Sequence, residues 1–358
     1  IPGSRSATFG DALTQKAGAS SAFKDFVLTR VKDYCLASID NETLEASIGN
    51  PNAFMEAASN EINSSILSCT RSLATAMYLN GTGVLGTVAA GPAATSFTLA
   101  TIDDVVNFEV GMTLVGTAGA APWAVAATGV ITGVNRDTGV ITHSVTAPVG
   151  GFTAGHFVAC EGDIPAGVGA PNKKISGLGA WIPDAAPVAG VPFFTVDRDA
   201  DSSRLGGVRF DNAGAGLDKV NALSQASARL AREGGRPSHV FMNHSDYGLL
   251  LSELNTAVQY TEIKAHDNGD ISFSAMRLHT PSGTISVVPD HNCPPGRAYL
   301  LQMDTWKLYS LGAAPKILQT DGMRLLREAS NDGVEVRVGY YAQLGCRAPG
   351  WNCVITGF

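Results

Sequence analysis

Residues 51–86 read PNAFMEAASNEINSSILSCTRSLATAMYLNGTGVLG. Pro51 suits a first helical turn, Asn50 or Asn52 can cap it, and Asn80-Gly81 can close it. Met55, Ala58, Ile62, Ile66, Cys69, Leu73 and Met77 recur at steps of three and four residues, with Asn60, Asn63, Ser64 and Thr70 off that line. This is a single apolar stripe along a helix. About 28 residues at ~1.5 Å each make a rod of roughly 42 Å, about twice the usual helix length. So long a rod with so thin a stripe spans a flat domain as a spine, with other layers laid against it. On this segment alone, an ordinary long amphipathic helix of an enzyme is the competing reading.

Before the spine, residues 1–22 are small, polar and rich in Gly, Ala and Ser, and FKDFVLTRVKDYCLASI (23–39) follows on a β-prone background. Residues 5–40 are expected to form two extended arms joined near 16–21, a hairpin with little core of its own. Such a hairpin is marginal in water and needs a partner surface, on its own domain or on another molecule. Beyond the spine the texture changes. Residues 88–165 carry strand signals and almost no helix signal, with GVITGVNRDTGVIT as a clear hairpin. This predicts a small inserted β-domain, a barrel or sandwich. Leu217–Arg232, Ser238–Met242 and the Asn243-capped segment through Leu254 predict a helix, a strand and a helix, hence an α/β layer. The last ninety residues are strand-rich, with Asn331-Asp332-Gly333 marking a hairpin.

A chain of 358 residues can bury a sizeable core in two or three domains. Only 16% of residues are charged, so a large share of the surface is expected to be covered by other subunits. The net charge of −7 argues against gripping nucleic acid through overall charge. No apolar run reaches membrane-spanning length. A secretory signal is not seen, and a start at Ile rather than Met suggests processing or a missing beginning. Six cysteines lack any CxxC pair, so zinc spacing is absent and reduced, mostly buried thiols are expected.

Chemistry-bearing motifs are weak. Asp290, His291 and Cys293 sit together in PDHNCPPG, but as a turn before a strand, with nothing marking a nucleophile elbow. Asp103, Asp104 and Glu109 lack the Asx/Gly spacing of a calcium loop. Residues 81–86 spell GxGxxG, yet a dinucleotide site needs a strand before it and a helix after it. Here the order is reversed, so these glycines end the spine. No catalytic, cofactor or metal residue is assigned. A hydrolase-like enzyme with a β-domain insertion, using His291 or Cys293, stays as an alternative.

The order of parts resembles the major capsid protein of tailed bacteriophages, an α+β fold of the Hong Kong 97 type, with another virion structural protein as the alternative. The wording of GSRSATFGDAL, AFMEAASNEINSSILSCTRSLATAMYLNGTG, RPSHVFMNHSDYGLLLSEL and DGMRLLREASNDGVEVRVGYYAQLGCRAPGWNCVI is similar as well. The resemblance implies an N-terminal segment and extended loop over 1–48 and a spine of the peripheral domain over 49–87. It further implies a β-insertion over 88–165, an axial domain over 166–267, peripheral strands over 268–337 and returning axial strands over 338–358. It also implies a non-enzymatic protein without cofactor that assembles with itself as pentamers and hexamers into an icosahedral head in the bacterial host cytoplasm. Implied partners are a portal, a scaffolding protein, a decoration or cement protein and, non-specifically, packaged double-stranded DNA, with no membrane. Arg5, Lys16, Lys24, Arg30, Lys32 and Asp33 are the candidate inter-subunit contacts, because a charged hairpin without a core needs complementary partners.

Overall fold

The computed structural model describes residues 6–16, 23–42, 51–90, 92–119, 123–145, 151–165, 171–254, 276–319, 322, 326–327 and 332–358; the side chains of 16, 51–58 and 145 lie outside that description. Three sheets and one long helix organise it. Helix α1 is Phe9–Lys16, and α2, the spine, is Pro51–Tyr78, 28 residues long. The expected stripe is the buried face: Cys69 and Leu73 are core, with Ile62, Ile66 and Met77 packed beside them. Met55 and Ala58, the first two positions of that stripe, fall among the undescribed side chains. At the spine's end Gly81 takes φ +84°, and the Asn80 carboxamide oxygen accepts from the Thr82 backbone N–H and hydroxyl. A left-handed turn there needs glycine.

The spine lies against a five-stranded sheet. Its long central strand, β16 (Gly333–Cys346), is flanked by β1 (Val31–Asp40) and, on its other side, by β13 (Trp306–Ser310), β14 (Lys316–Ile317) and β15 (Leu326–Arg327). Val31 pairs with Ala342 and Asp40 with Gly333 in an unbroken antiparallel register. Cys35, Ala37, Val336, Val338, Tyr340 and Ala342 meet the spine's apolar stripe.

The expected hairpin over 5–40 is therefore corrected. Its first arm holds α1, because Thr8 and Asp11 cap each other as N-cap and N3 and Phe9 and Leu13 fall one helical turn apart. Its second arm pairs with β16 instead. The chain leading into β1 has a core too: Phe26 lies 5.0 Å from the Trp181 ring centroid, Val27 donates its N–H to the Phe194 carbonyl, and the Gln343 carboxamide donates to the Thr29 carbonyl.

Residues 84–160 form a separate six-stranded antiparallel sheet, ordered β2 (Val84–Thr87), β7 (Phe157–Cys160), β4 (Thr113–Thr117), β5 (Val125–Asn135), β6 (Val140–Val145), β3 (Ser96–Thr98). It encloses its own core of Phe97, Leu99, Phe108, Leu114, Ile131, Ile141, Phe152 and Val158. The β5–β6 hairpin is the one read from the sequence; the Asn135 carboxamide accepts from the backbone N–H of Asp137 and Thr138 to shape its turn. The sheet starts at Val84 rather than 88, because β2 pairs with β7 as soon as the spine has ended.

The third sheet runs β10 (Met276–Thr280), β11 (Gly283–Pro289), β9 (His239–Met242), β12 (Arg297–Leu301), β17 (Cys353–Thr356), β8 (Val208–Asp211). Two further helices, Lys219–Arg232 and His244–Leu254, cover it through Leu223, Ala226, Leu230, Leu250 and Leu254. The Asn243 carboxamide caps the second at the Ser245 N–H, as expected. Asp246 turns instead to Lys219, 3.0 Å away, and to the Gly296 N–H.

Two expected boundaries move. Strands over 276–301 belong to this α/β sheet and not to the spine's sheet, since Met276, Leu278, Ile285 and Val287 complete the apolar layer under its helices. The boundary at 337/338 also fails, because β16 runs unbroken to Cys346 and only β17 returns to the α/β sheet. Nothing in the alternation of residues 334–346 interrupts a strand; the chain turns at Pro349–Trp351.

Candidate assembly surface

Strand β1 is pinned to the body by a group of charges drawn from four places. The Lys174 ammonium lies 2.8 Å from an Asp33 carboxylate oxygen and 3.2 Å from Asp163, at the exit of the inserted sheet. Ser72 on the spine donates to the same Asp33 oxygen at 2.6 Å, and the Tyr340 hydroxyl on β16 donates at 3.3 Å. The three charged side chains keep only 12% (Asp33), 13% (Lys174) and 22% (Asp163) of their exposure. Burial pulls the Lys174 pKa down, but Asp33 and Asp163 outweigh it, so the ammonium ends above its ordinary value. Burial also lifts the Asp163 carboxyl above the usual range despite Lys174 beside it. Charges so placed remain paired because separating them inside the protein is expensive.

Asp33, expected to reach a neighbouring subunit, is thus committed within its own chain. Its position on β1 explains this: Val31, Asp33, Cys35, Ala37 and Ile39 alternate toward the spine, and Lys32, Tyr34, Leu36, Ser38 and Asp40 face away. Lys24, Arg30 and Lys32 are exposed, Lys32 with its ammonium 5.9 Å from the Tyr34 ring centroid. Lys16 ends α1, with its side chain outside the described residues, and Arg5 lies outside them altogether.

The surface features missed in the sequence are apolar. Phe9 is 83% exposed and Leu13 more than half exposed on one face of α1; Phe23 is 88% and Val27 61% exposed in the extended segment after it. An eight-residue helix is marginal by itself, and one with its apolar face in water lacks the packing that stabilises helices. The signal was present as Phe9 and Leu13 spaced four apart in FGDALTQK, hidden by the expectation of strands. The outer face of the β1–β16 pair adds Tyr34, whose ring meets Tyr341 edge-on at 6.1 Å, and Leu36.

The polar turn at 290–293 has structural partners. Tyr78 donates its hydroxyl to Asp290 at 2.7 Å, and Asp290 accepts the Asn292 N–H at 2.9 Å. Cys293 is buried against the Phe241 and Arg297 carbonyls, and burial, then Asp290 and Asp246, hold its thiol protonated. Among the described residues no group of three or more His, Cys, Asp and Glu could hold a metal ion, and no helix is long and apolar enough to cross a membrane.

Residues 158–327, just under half of the chain, match the family model described as SU10 major capsid protein. Over those residues the chain is similar to a major capsid protein. Its architecture, with a spine helix backed by one sheet and a second, helix-covered sheet, is of the α+β class expected from the sequence. Similar solved structures include a cyanophage A-1(L) capsid asymmetric unit, at 17% identity and TM-score 0.35, over 52% of this chain and 61% of that one. A satellite phage P4 procapsid that includes the size determination (Sid) protein is similar at 12% identity and TM-score 0.32, over 100% of this chain and 79% of that one. A virus-like particle from Pyrococcus furiosus is similar at 13% identity and TM-score 0.24, over 38% and 47%. The chain thus spans 61% of the cyanophage chain's length. Among curated proteins none matches it.

Proposed function

We propose that many copies of this chain tile the icosahedral head shell of a tailed double-stranded DNA phage and enclose its genome. The observation that carries this reading, beside the family match, is the N-terminal segment: α1, Phe23 and Val27 hold large apolar side chains in water while β1, shortly after, is pinned to the body by Asp33. An arm anchored at one end and unburied at the other fits contact with a second copy, and makes folding stability and assembly inseparable. The acidic balance suits a container that holds DNA without gripping it. Pentamers and hexamers, a portal, a scaffolding protein, a decoration or cement protein, and assembly in the bacterial cytoplasm complete the reading. The peripheral domain would be the spine with its five-stranded sheet, the axial domain the helix-covered sheet, and the sheet over 84–160 an outward insertion. Lys24, Arg30 and Lys32, exposed along the arm and on the outer face of β1, would meet carboxylates of a neighbour.

Negative-stain imaging and sedimentation of the freshly expressed chain test this. Closed shells, or rings of five or six, are the expected result. A monomer or dimer at high concentration, under every salt and scaffold condition, would sink the proposal.

A further inference from the structure

A cleft of about 390 Å³ opens where the last turns of the spine meet the two neighbouring sheets. Ala74 and Tyr78 line it from the spine, Trp306 from β13, Phe241 from β9 and Leu301 from β12. Small-ligand pockets have this size and this character, apolar walls with a few polar groups that fix orientation. The charged residues on this wall are Asp290 and Lys307, and they are not equivalent. Along β13, Lys307 alternates with Trp306 and Leu308, so its side chain leaves on the opposite face, where the ammonium lies 5.2 Å from the Tyr309 ring centroid. The charge left to the cleft is the Asp290 carboxylate.

Neutral donors hold that carboxylate in place. The Tyr78 hydroxyl donates to Oδ2 at 2.7 Å, and Oδ1 accepts the Asn292 backbone N–H at 2.9 Å and its carboxamide at 3.0 Å. Among the described ion pairs Asp290 has no Lys or Arg; His291, largely exposed, stands 3.8 Å away and is charged only when protonated. A carboxylate offers about four acceptor sites, so Oδ2 keeps room for a further donor beside Tyr78. The aromatic walls are fixed as well, since the Trp306 indole donates to the Asn352 carboxamide oxygen at 2.8 Å and the Tyr78 ring is tethered through Asp290. Aromatic rings beside a carboxylate that lacks a cation favour a positive charge on an apolar stem. We propose that this cleft binds a small hydrophobic ammonium compound, its cation on Asp290 and its stem between Tyr78, Phe241 and Trp306. Such a ligand touches the spine and both sheets at once, so its binding stabilises their junction.

Hexylammonium is the probe, with 1-hexanol and hexanoate as controls that carry the same stem without the cation. Titrated into the unassembled wild-type chain at pH 8, hexylammonium is expected to change the fluorescence of Trp306 saturably, with a Kd on the order of 1 mM for so small a ligand, and to raise the melting temperature. It is expected to bind about tenfold more tightly than hexanol, with hexanoate weaker still. Asp290→Asn keeps an acceptor for Tyr78 and is expected to bring hexylammonium down to the level of hexanol. Ala74→Leu places a good helix former at a half-buried position of the spine, fills the cleft, and is expected to weaken both ligands about tenfold. Should the Asp290 variant fail to fold, the wild-type ranking and the Ala74 variant decide. Equal binding of hexylammonium and hexanol to the wild-type chain would overturn the proposal. So would hexanoate binding as tightly as hexylammonium, binding untouched by Ala74→Leu, or no saturable response to hexylammonium.

Discussion

Lys174→Met is the sharpest probe of how β1 is held. The substitution keeps an apolar stem of similar length and removes the only cation between Asp33 and Asp163 that the described ion pairs contain. Removing one partner of a buried pair costs about 3–5 kcal/mol. The exposure left to these side chains, 12–22%, places this case at the low end, about 3 kcal/mol. The variant has one escape, which is to protonate a carboxylate. For a carboxyl of ordinary pKa ~3.9 that costs about 1.4 kcal/mol per pH unit above 3.9, so about 1.5 kcal/mol at pH 5 and more than 5 kcal/mol at pH 8. The sign follows from a carboxyl whose pKa in the folded variant is raised. Its stability is fully present below the unfolded value and is lost as pH rises through the folded one. The deficit against wild type should therefore be about 1.5 kcal/mol at pH 5 and level off near 3 kcal/mol by pH 8. Urea titration of the unassembled chain, followed by the fluorescence of Trp181 and Trp306 in the spine-side core, measures it. A deficit under about 0.5 kcal/mol at pH 8, or one equal at the two pH values, would refute the claim that these charges pin the strand.

Phe9→Ser with Leu13→Ser should abolish assembly while leaving the urea midpoint of the unassembled chain within about 0.5 kcal/mol, since neither side chain is buried; sedimentation beside denaturation checks both halves. Gly177→Ala should cost about 1–3 kcal/mol, at the upper end, because a Cβ there would stand 2.3 Å from the backbone oxygens of Ala76 and Met77 at the spine's last turn. A melting curve unchanged from wild type would contradict that. Replacing 84–160 with a short Gly/Ser linker should leave the other two sheets folded, because β2 and β7 pair side by side where the chain enters and leaves. The Arg71–Glu109 ion pair lost with the insertion is at least half exposed on both sides and contributes little. Circular dichroism and tryptophan fluorescence of the excised protein would show the outcome, and an unfolded or insoluble product would count against it.

What could be read in advance was what repeats locally. The three-four spacing from Ile62 to Met77 gave the spine and its buried face, and Val, Ile and Thr around Asn135–Gly139 gave a hairpin and its turn. What could not be read was set by distant partners. Whether 276–301 joins the spine's sheet or the helix-covered one depends on which apolar layer Ile285 and Val287 complete, and their own alternation is the same either way. Asp33 looked like one more charge on a coreless arm, because Ser72, Asp163, Lys174 and Tyr340 converge on it from far along the chain. The arm itself was misread for a different reason: a short helix with two apolar residues and a capping pair carries too little periodicity to outweigh a β-prone continuation.

The most direct test of the central claim is the size of the particle formed by the wild-type chain, measured by sedimentation and negative-stain imaging of the same preparation. Closed shells, or rings of five or six subunits, are predicted. A chain that stays monomeric or dimeric at high concentration across salt and scaffold conditions would contradict the account.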